Sequence, residues 1–219
     1  MNDQQRKRLK ELSTTNISDA LDFFHLKGAC WGVNAMHPGC SRIAGEAVTV
    51  RLIPAGALTP RVHLGQQAIH LAKAGDIIVV DNASRLDVSC WGGVLSTAAS
   101  LKGVSGVVVD GACRDIDDYV ELGFSVYALG AVVASARGRV IEDDTNCTIQ
   151  FRGVQVNPGD IVVADRSGVV FIPKDRFAEV LDKAYSLYER EEAMCADLRS
   201  GMDNLAVDAK YSYNTMLEK

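Results

Sequence analysis

The sequence predicts an α/β protein built as one domain around a mixed sheet, and three observations carry that prediction. Strand-like apolar runs alternate with helical patterns through the first half of the chain, the order that parallel βαβ units produce. The second half turns to short strands separated by tight turns. A long amphipathic stretch, residues 174–200, follows them. No Pro- or Ser-rich linker separates the halves. The 219 residues are therefore read as one domain, 1–219, with N-terminal helices over 1–28, a core over 40–173 and a C-terminal helix over 174–200.

The elements follow in order. Residues 4–12 form a polar helix. Thr15 to Asp19 offers N-cap candidates for a second short helix over 20–24, which Gly28 ends. After a loop carrying Gly32, Pro38 and Gly39, residues 47–53 form a strand bounded by Gly45 and Pro54. Residues 66–72 are helical. Gly75-Asp76 then turns the chain into a wholly apolar strand ending at Asp81, the signature of a strand buried on both faces. Residues 92–102 form a helix with small residues along one side and Gly103 as its cap. A strand over 106–110, a helix over 115–122 ended by Gly123, and a strand over 125–128 come next. Residues 139–155 are hairpin material. Gly159-Asp160 repeats the earlier turn, feeding a strand that ends at Asp165 and returns over 168–172 through Arg166-Ser167.

Composition excludes several functions. At 47% hydrophobic and 23% charged residues the chain is an ordinary globular protein, able to bury roughly 70% of its unfolded surface without a disulfide framework or structural metal. A net charge of -5 argues against nucleic acid as the main partner. The one basic cluster, Arg6-Lys7-Arg8 with Lys10, reads as a solvated helix face. Six scattered cysteines with no C-x-x-C pair read as thiols of a reducing compartment. A charged start with no apolar h-region, and no apolar run of membrane-spanning length, give a cytoplasmic expectation without a signal peptide or membrane contact.

The chemistry is concentrated between Trp91 and Asp115. A strand ends at Asp110, the turn Gly111-Ala112-Cys113 follows, and Arg114-Asp115 opens the next helix. Polar residues at the carboxyl end of a parallel strand face the crevice where open α/β sheets bind ligands. The neighbouring turn delivers Gly92 and Gly93 to a helix start, where free backbone N–H groups cradle an anion. Arg114 adds a fork-shaped donor for a carboxylate, and Asp115 a hard oxygen ligand for Mg²⁺ or Mn²⁺. The competing reading is a plain helix-start salt bridge, with Asp115 serving the helix dipole.

Four blocks together resemble a known family: Gly-Asp-Ile-Ile-Val-Val-Asp (75–81), Trp-Gly-Gly-Val-Leu-Ser-Thr-Ala-Ala (91–99), Gly-Val-Val-Val-Asp-Gly-Ala-Cys-Arg-Asp (106–115) and Asn-Pro-Gly-Asp-Ile-Val-Val-Ala-Asp (157–165). The chain resembles, from about Ile17 to Gly201, the group that joins 4-hydroxy-4-methyl-2-oxoglutarate aldolases to the regulators of ribonuclease activity A. The resemblance implies an α/β/β sandwich assembled as homotrimers or hexamers, with sites at subunit boundaries. It also implies class II chemistry: divalent-metal-dependent cleavage of 4-hydroxy-2-oxo acids to pyruvate, and decarboxylation of oxaloacetate. By position, Arg114 would hold the pyruvyl carboxylate and Asp115 would ligate the metal. The backbone of Gly92, Gly93, Val94 and Leu95 would complete the carboxylate cradle. Asp19 falls where the family has a carboxylate near the metal's waters, and Glu191 where a neighbouring subunit reaches across. Asp19 as an N-cap and Glu191 on a solvated acidic face remain open alternatives.

One departure stands out. The aldolases carry an acidic residue where this chain has Gly93, and Asp81 or Asp87 are candidates to supply the missing charge. Decarboxylation needs no base for a 4-hydroxyl proton, so it is the more robust expected activity. The rivals are a non-catalytic regulator that binds a ribonuclease and a lyase for a different, sugar-derived hydroxy-oxo acid. His25, His37, His63 and His70 lack metal-ligand spacing, Trp31 and Trp91 read as packing anchors, and Cys113 has no His-containing motif to make it a nucleophile.

Overall fold

Alternation of apolar residues on both faces of long strands sets the architecture. The computed structural model describes residues 1, 3–58 and 62–212. Its elements run α1 (Asp3–Glu11), α2 (Thr14–Phe23), β1 (Ala29–Cys30), β2 (Asn34–Ala35), β3 (Ile43–Pro54), α3 (Gln66–Leu71), β4 (Ile77–Ser89), α4 (Gly93–Leu101), β5 (Gly106–Cys113), α5 (Ile116–Leu122) and β6 (Val126–Ala131). They continue with β7 (Val140–Thr145), β8 (Ile149–Phe151), β9 (Val154–Val156), β10 (Ile161–Asp165), β11 (Gly168–Ile172), α6 (Phe177–Arg199) and α7 (Asn204–Tyr211).

The main sheet has nine strands in the order β1-β11-β10-β3-β4-β5-β6-β2, with β7 also on β3. β3, β4, β5 and β6 are parallel neighbours, while β10, β11, β7, β1 and β2 pair antiparallel. The mixed sheet is thus the fusion of a βαβ half and an antiparallel half.

Each central strand divides its residues between two cores. Ile78 and Val80 of β4, with Val107 and Val109 of β5, face Ala68, Trp91, Leu95 and Tyr119 of the α3–α5 layer. Ile77 and Val79, with Val108, face Ile149, Phe151, Val154 and Val156 of the β8–β9 hairpin. Helix layer, sheet and hairpin make a three-layer sandwich. A third core packs α1, α2 and α6 on Ile161, Val163, Val170 and Ile172 at the antiparallel end. Among the described residues no helix is long and apolar enough to cross a membrane.

Several local expectations change. Ser13, not a residue of 15–19, caps α2: its Oγ accepts from Asn16 N–H while Asn16 Oδ1 accepts from Ser13 N–H, so the helix starts a turn and a half early. Gly28 does not end that helix. A Cβ there would meet the Phe171 carbonyl at 2.1 Å, so the glycine is needed for close approach to β11. The stretch 139–155 splits, because β7 pairs with β3 and the hairpin proper is β8–β9. α7 was not foreseen. Arg8 is not simply solvated: it pairs with Asp182 at 2.6 Å and lies over the Tyr185 ring. Trp91 is a buried anchor, but Trp31 is 73% exposed under the Arg152 guanidinium, 3.8 Å from its ring centroid.

The repeated Gly-Asp turns are alike in detail. Gly75 and Gly159 adopt φ of 90° and 83°, the positive value that the third position of a type II turn needs. Asp76 accepts from Lys73 N–H at 2.8 Å and Asp160 from Asn157 N–H at 2.7 Å, so each aspartate ties its own turn.

Candidate active site

The parallel order of β4 and β5 brings their carboxyl ends side by side, and the two turns that leave them meet. Cys90 N–H donates to the Ala112 carbonyl at 3.0 Å and Arg114 N–H to the Trp91 carbonyl at 3.0 Å. The Tyr119 hydroxyl, from α5, donates to the same Trp91 carbonyl at 3.2 Å. The start of α4 is therefore fixed against the start of α5 by three hydrogen bonds.

Within that frame Asp115 takes a left-handed backbone conformation, φ 59° and ψ 47°. Asparagine and aspartate tolerate this region better than other residues, and such conformations gather where function demands them. The twist turns the carboxylate away from its own helix. Its Oδ2 accepts Gly93 N–H at 3.0 Å, at the first turn of α4, and lies 3.4 Å from Arg114 Nε. The salt bridge of the plainer reading exists, but the dipole that Asp115 serves is that of α4.

The glycines at 92 and 93 are explained by what surrounds them. A Cβ on Gly92 would stand 2.6 Å from Asp115 Oδ2 and 3.3 Å from Arg114 Nε. A Cβ on Gly93 would lie 1.7 Å from Asp118 Oδ2 and 2.6 Å from its Cγ. The space that a side chain at 93 would enter is filled by the carboxylate of Asp118. Asp81 and Asp87 are engaged elsewhere, Asp81 accepting from Ala83 N–H at 2.9 Å and Asp87 pairing with Arg85 at 3.1 Å, and Asp81, Asp87 and Asp118 all lie outside the lining of the cavity described next. Asp118 was not among the expected site residues: it lies in the first turn of α5, and only the left-handed turn at Asp115 and the absence of a side chain at Gly93 bring its carboxylate to the start of α4.

Arg114, Asp115, Gly92, Val94 and Leu95 line one open cavity of about 210 Å³. It is smaller than the roughly 300–1,000 Å³ of drug-sized sites, which suits a small organic acid with its waters. Gly92 has no side chain to cap α4; Asp115 takes the Gly93 N–H, which removes Gly93 from the expected carboxylate cradle and leaves the N–H groups of Val94 and Leu95 to meet an anion. Leu64 and Ile141 add apolar wall, and His63, Ser135, Arg137 and Glu142 complete the polar lining. His63 and Arg137 were not foreseen here. Cys113 is buried, and burial first, then to a lesser extent Asp115 and Cys40, push its thiol up to about 11, which favours the protonated form over a nucleophilic thiolate.

Asp19 and Glu191 are not in this lining. They stand together at the α2–α6 contact, where Asn16 donates to Glu191 Oε2 at 2.6 Å. Burial, then the Glu191 and Asp22 charges, raise the Asp19 carboxyl above its ordinary value. One chain therefore supplies two carboxylate groupings in two places.

As to a divalent ion, the donors fit. Asp115 and Asp118 are exposed hard-oxygen ligands beside one helix start, and among the described residues no group of three or more His, Cys, Asp or Glu forms a closed metal cage. One or two carboxylates, with water and substrate oxygens for the rest, is the coordination habit of Mg²⁺.

A family model described as "RraA-like: Aldolase/RraA" matches residues 14–171. The chain is 31% identical over 195 residues to the DlpA protein of Legionella pneumophila, covering 89% of this chain but only 32% of that protein. It is 31% identical over 186 residues, 85% of this chain and 84% of the relative, to a Halalkalibacterium halodurans protein named as a candidate 4-hydroxy-4-methyl-2-oxoglutarate aldolase. A crystal structure of an uncharacterized Pseudomonas syringae protein superposes with a TM-score of 0.85 at 28% identity, covering 94% of this chain and 98% of that one. With the family model spanning the sheet, both glycine turns and Arg114-Asp115, the chain belongs to the Aldolase/RraA family.

Proposed function

We propose that this protein is a divalent-metal-dependent lyase that cleaves 4-hydroxy-2-oxo acids to pyruvate and decarboxylates oxaloacetate. The observation that carries the reading is the convergence of Arg114, Asp115 and the start of α4 on one cavity of small-acid size. Arg114 binds the substrate carboxylate through its planar fork, and the first-turn N–H groups of α4 take the remaining oxygen charge. Both reactions build negative charge on the 2-oxo oxygen, and preorganised positive groups around it lower the barrier. Mg²⁺ or Mn²⁺, held by Asp115 with Asp118 on its water side, would supply Lewis-acid polarisation of that oxygen. Cleavage also needs a base for the 4-hydroxyl proton. Within the chain the proposed base is Asp118, whose carboxylate stands beside Gly93 at the start of α4. In a homotrimer or hexamer, Asp19, whose raised pKa suits a base, and Glu191 would serve that role from a neighbouring copy.

Pyruvate release from oxaloacetate and from 4-hydroxy-4-methyl-2-oxoglutarate tests the proposal. The expected result is turnover with Mg²⁺ or Mn²⁺, abolished by EDTA and restored by either ion. Arg114→Ala and Asp115→Ala should each cost on the order of a hundredfold in rate, about 3 kcal/mol of transition-state stabilisation. Oxaloacetate decaying at its background rate with metal present, or near-normal turnover in either variant, would reject the lyase. A ribonuclease-binding regulator would need no ion for its effect.

A further inference from the structure

Both proposed reactions leave a pyruvate enolate, and its C3 must gain a proton before pyruvate can depart. No group assigned so far gives that proton. Most polar side chains of the cavity lining are unsuited to it. Arginine does not give up its proton in proteins, which excludes Arg114 and Arg137. Asp115 Oδ2 accepts Gly93 N–H and faces Arg114. Both oxygens of Glu142 are acceptors too, Oε2 of Gly65 N–H at 2.6 Å and Oε1 of the Thr145 hydroxyl. Burial pushes the Cys90 thiol up, away from acid strength. His63 remains, and imidazole is the side chain that both takes and gives a proton near neutrality.

The turn that carries His63 is held on every side. Besides the Glu142 bond to Gly65, Gln66 N–H donates to the His63 carbonyl at 3.2 Å and Ile69 N–H to the Gly65 carbonyl at 3.0 Å. The turn also packs on the start of α4: a Cβ at Gly65 would stand 3.1 Å from the Trp91 ring and 3.3 Å from Leu95. The imidazole is oriented by Nδ1, which lies 3.2 Å from the Leu64 carbonyl. A carbonyl only accepts, so Nδ1 carries a hydrogen, and Nε2 is the nitrogen that gains and loses the second proton. His63 is exposed as well as lining the cavity, so water can reload it.

We propose that His63 is the catalytic residue that protonates C3 of the enolate. The imidazolium Nε2–H gives its proton to C3, the C2–C3 π pair forms the new C–H bond, and the 2-oxo group is restored. Neutral His63 then takes a proton from water. This rests on the lyase reading, in which the enolate forms beside Arg114. Run backwards, the same step removes a methyl proton from pyruvate, so proton NMR of pyruvate in D₂O with Mg²⁺ reads it without any cleavage. The wild-type protein should wash out the methyl signal faster than the protein-free solution. His63→Gln should slow that exchange by about 100-fold, with pyruvate affinity by titration calorimetry kept within about twofold. Exchange in His63→Gln within about threefold of the wild type overturns the assignment and leaves Arg114 untouched. So does a loss of exchange matched by an equal loss of pyruvate affinity, which would make His63 a binding group. No exchange by the wild type, or exchange that Arg114→Ala does not slow, overturns the lyase reading and the assignment with it.

Discussion

Residue 93 shows how a local departure from a family pattern is absorbed. A glycine there looks like the loss of a metal-side carboxylate, yet Asp118 sits where the missing side chain would be, 1.7 Å from the position of a Cβ. The two arrangements are sterically exclusive. Asp118→Ala should therefore behave like removal of a group on the metal's water shell, with a loss of about 10- to 100-fold in metal affinity or activity. Gly93→Asp alone should also do harm, since it drives two carboxylates into one space. Combined, Gly93→Asp with Asp118→Ala should recover most of the wild-type activity and Mg²⁺ dependence. Metal titrations of the three variants check this, and a double variant no better than Asp118→Ala would show that the two positions are not equivalent. Arg114 and Asp115 were legible as a pair because residue type, spacing and the preceding strand agreed. What could not be read was the left-handed turn at Asp115, which sends its carboxylate to a different helix from the one it opens.

At the level of elements, strands buried on both faces were the clearest part of the sequence, because β-branched apolar runs of three or four residues between a glycine or Gly-Asp turn and an aspartate are too short for a helix and fit a doubly buried strand. The antiparallel half was less legible. β7 leaves its sequence neighbours to pair with β3, a contact with residues nearly a hundred positions away, and no local pattern encodes that choice. α7 was missed for a related reason: four of its eight residues are polar, and its anchor is Asp197 of α6, which takes Lys210 at 2.6 Å and the Tyr211 hydroxyl at 2.8 Å. Asp165 plays a similar long-range part at the end of β10. It accepts Thr14 N–H at 2.9 Å and the Thr14 hydroxyl at 2.7 Å, joining α2 to the sheet. Burial works against its charge, but these bonds, Ser167 N–H and Arg42 outweigh it and hold the carboxyl below its usual range. The folded state thus binds this proton less tightly than the unfolded chain. The stabilisation is present above the unfolded pKa of about 4 and is lost as pH falls through the folded value. Asp165→Asn should cost about 1–3 kcal/mol at neutral pH. Denaturant unfolding from pH 7 down to pH 3 should show the wild type and variant converging, and parallel curves would exclude a role for this charge.

At the scale of the whole molecule, the absence of Asp19 and Glu191 from the lining of the Arg114 cavity sets what the proposed assembly would have to do. A chain acting alone has Arg114, Asp115 and Asp118 on one side and the Asp19–Glu191 pair on another. A head-to-tail ring is the closed arrangement that lays one surface of each subunit on a different surface of the next. Val94, which lines the cavity, is 82% exposed, and Val133, next to the Ala134 carbonyl that accepts Ser89 N–H, is 94% exposed; both are apolar surface suited to such a contact. Mixed assemblies test this directly. Arg114→Ala subunits and Glu191→Gln subunits should each be impaired when pure. If a site takes Arg114 from one subunit and Glu191 from the next, refolding the two together in equal amounts should rebuild about a quarter of the sites with both groups intact, by random assortment at a heterologous interface. Activity should then rise above that of either parent. If Glu191 serves only its own chain, every site keeps one defect and mixing gains nothing. A Glu191→Gln protein as active as the wild type would remove that residue from the chemistry and leave Asp118 as the base.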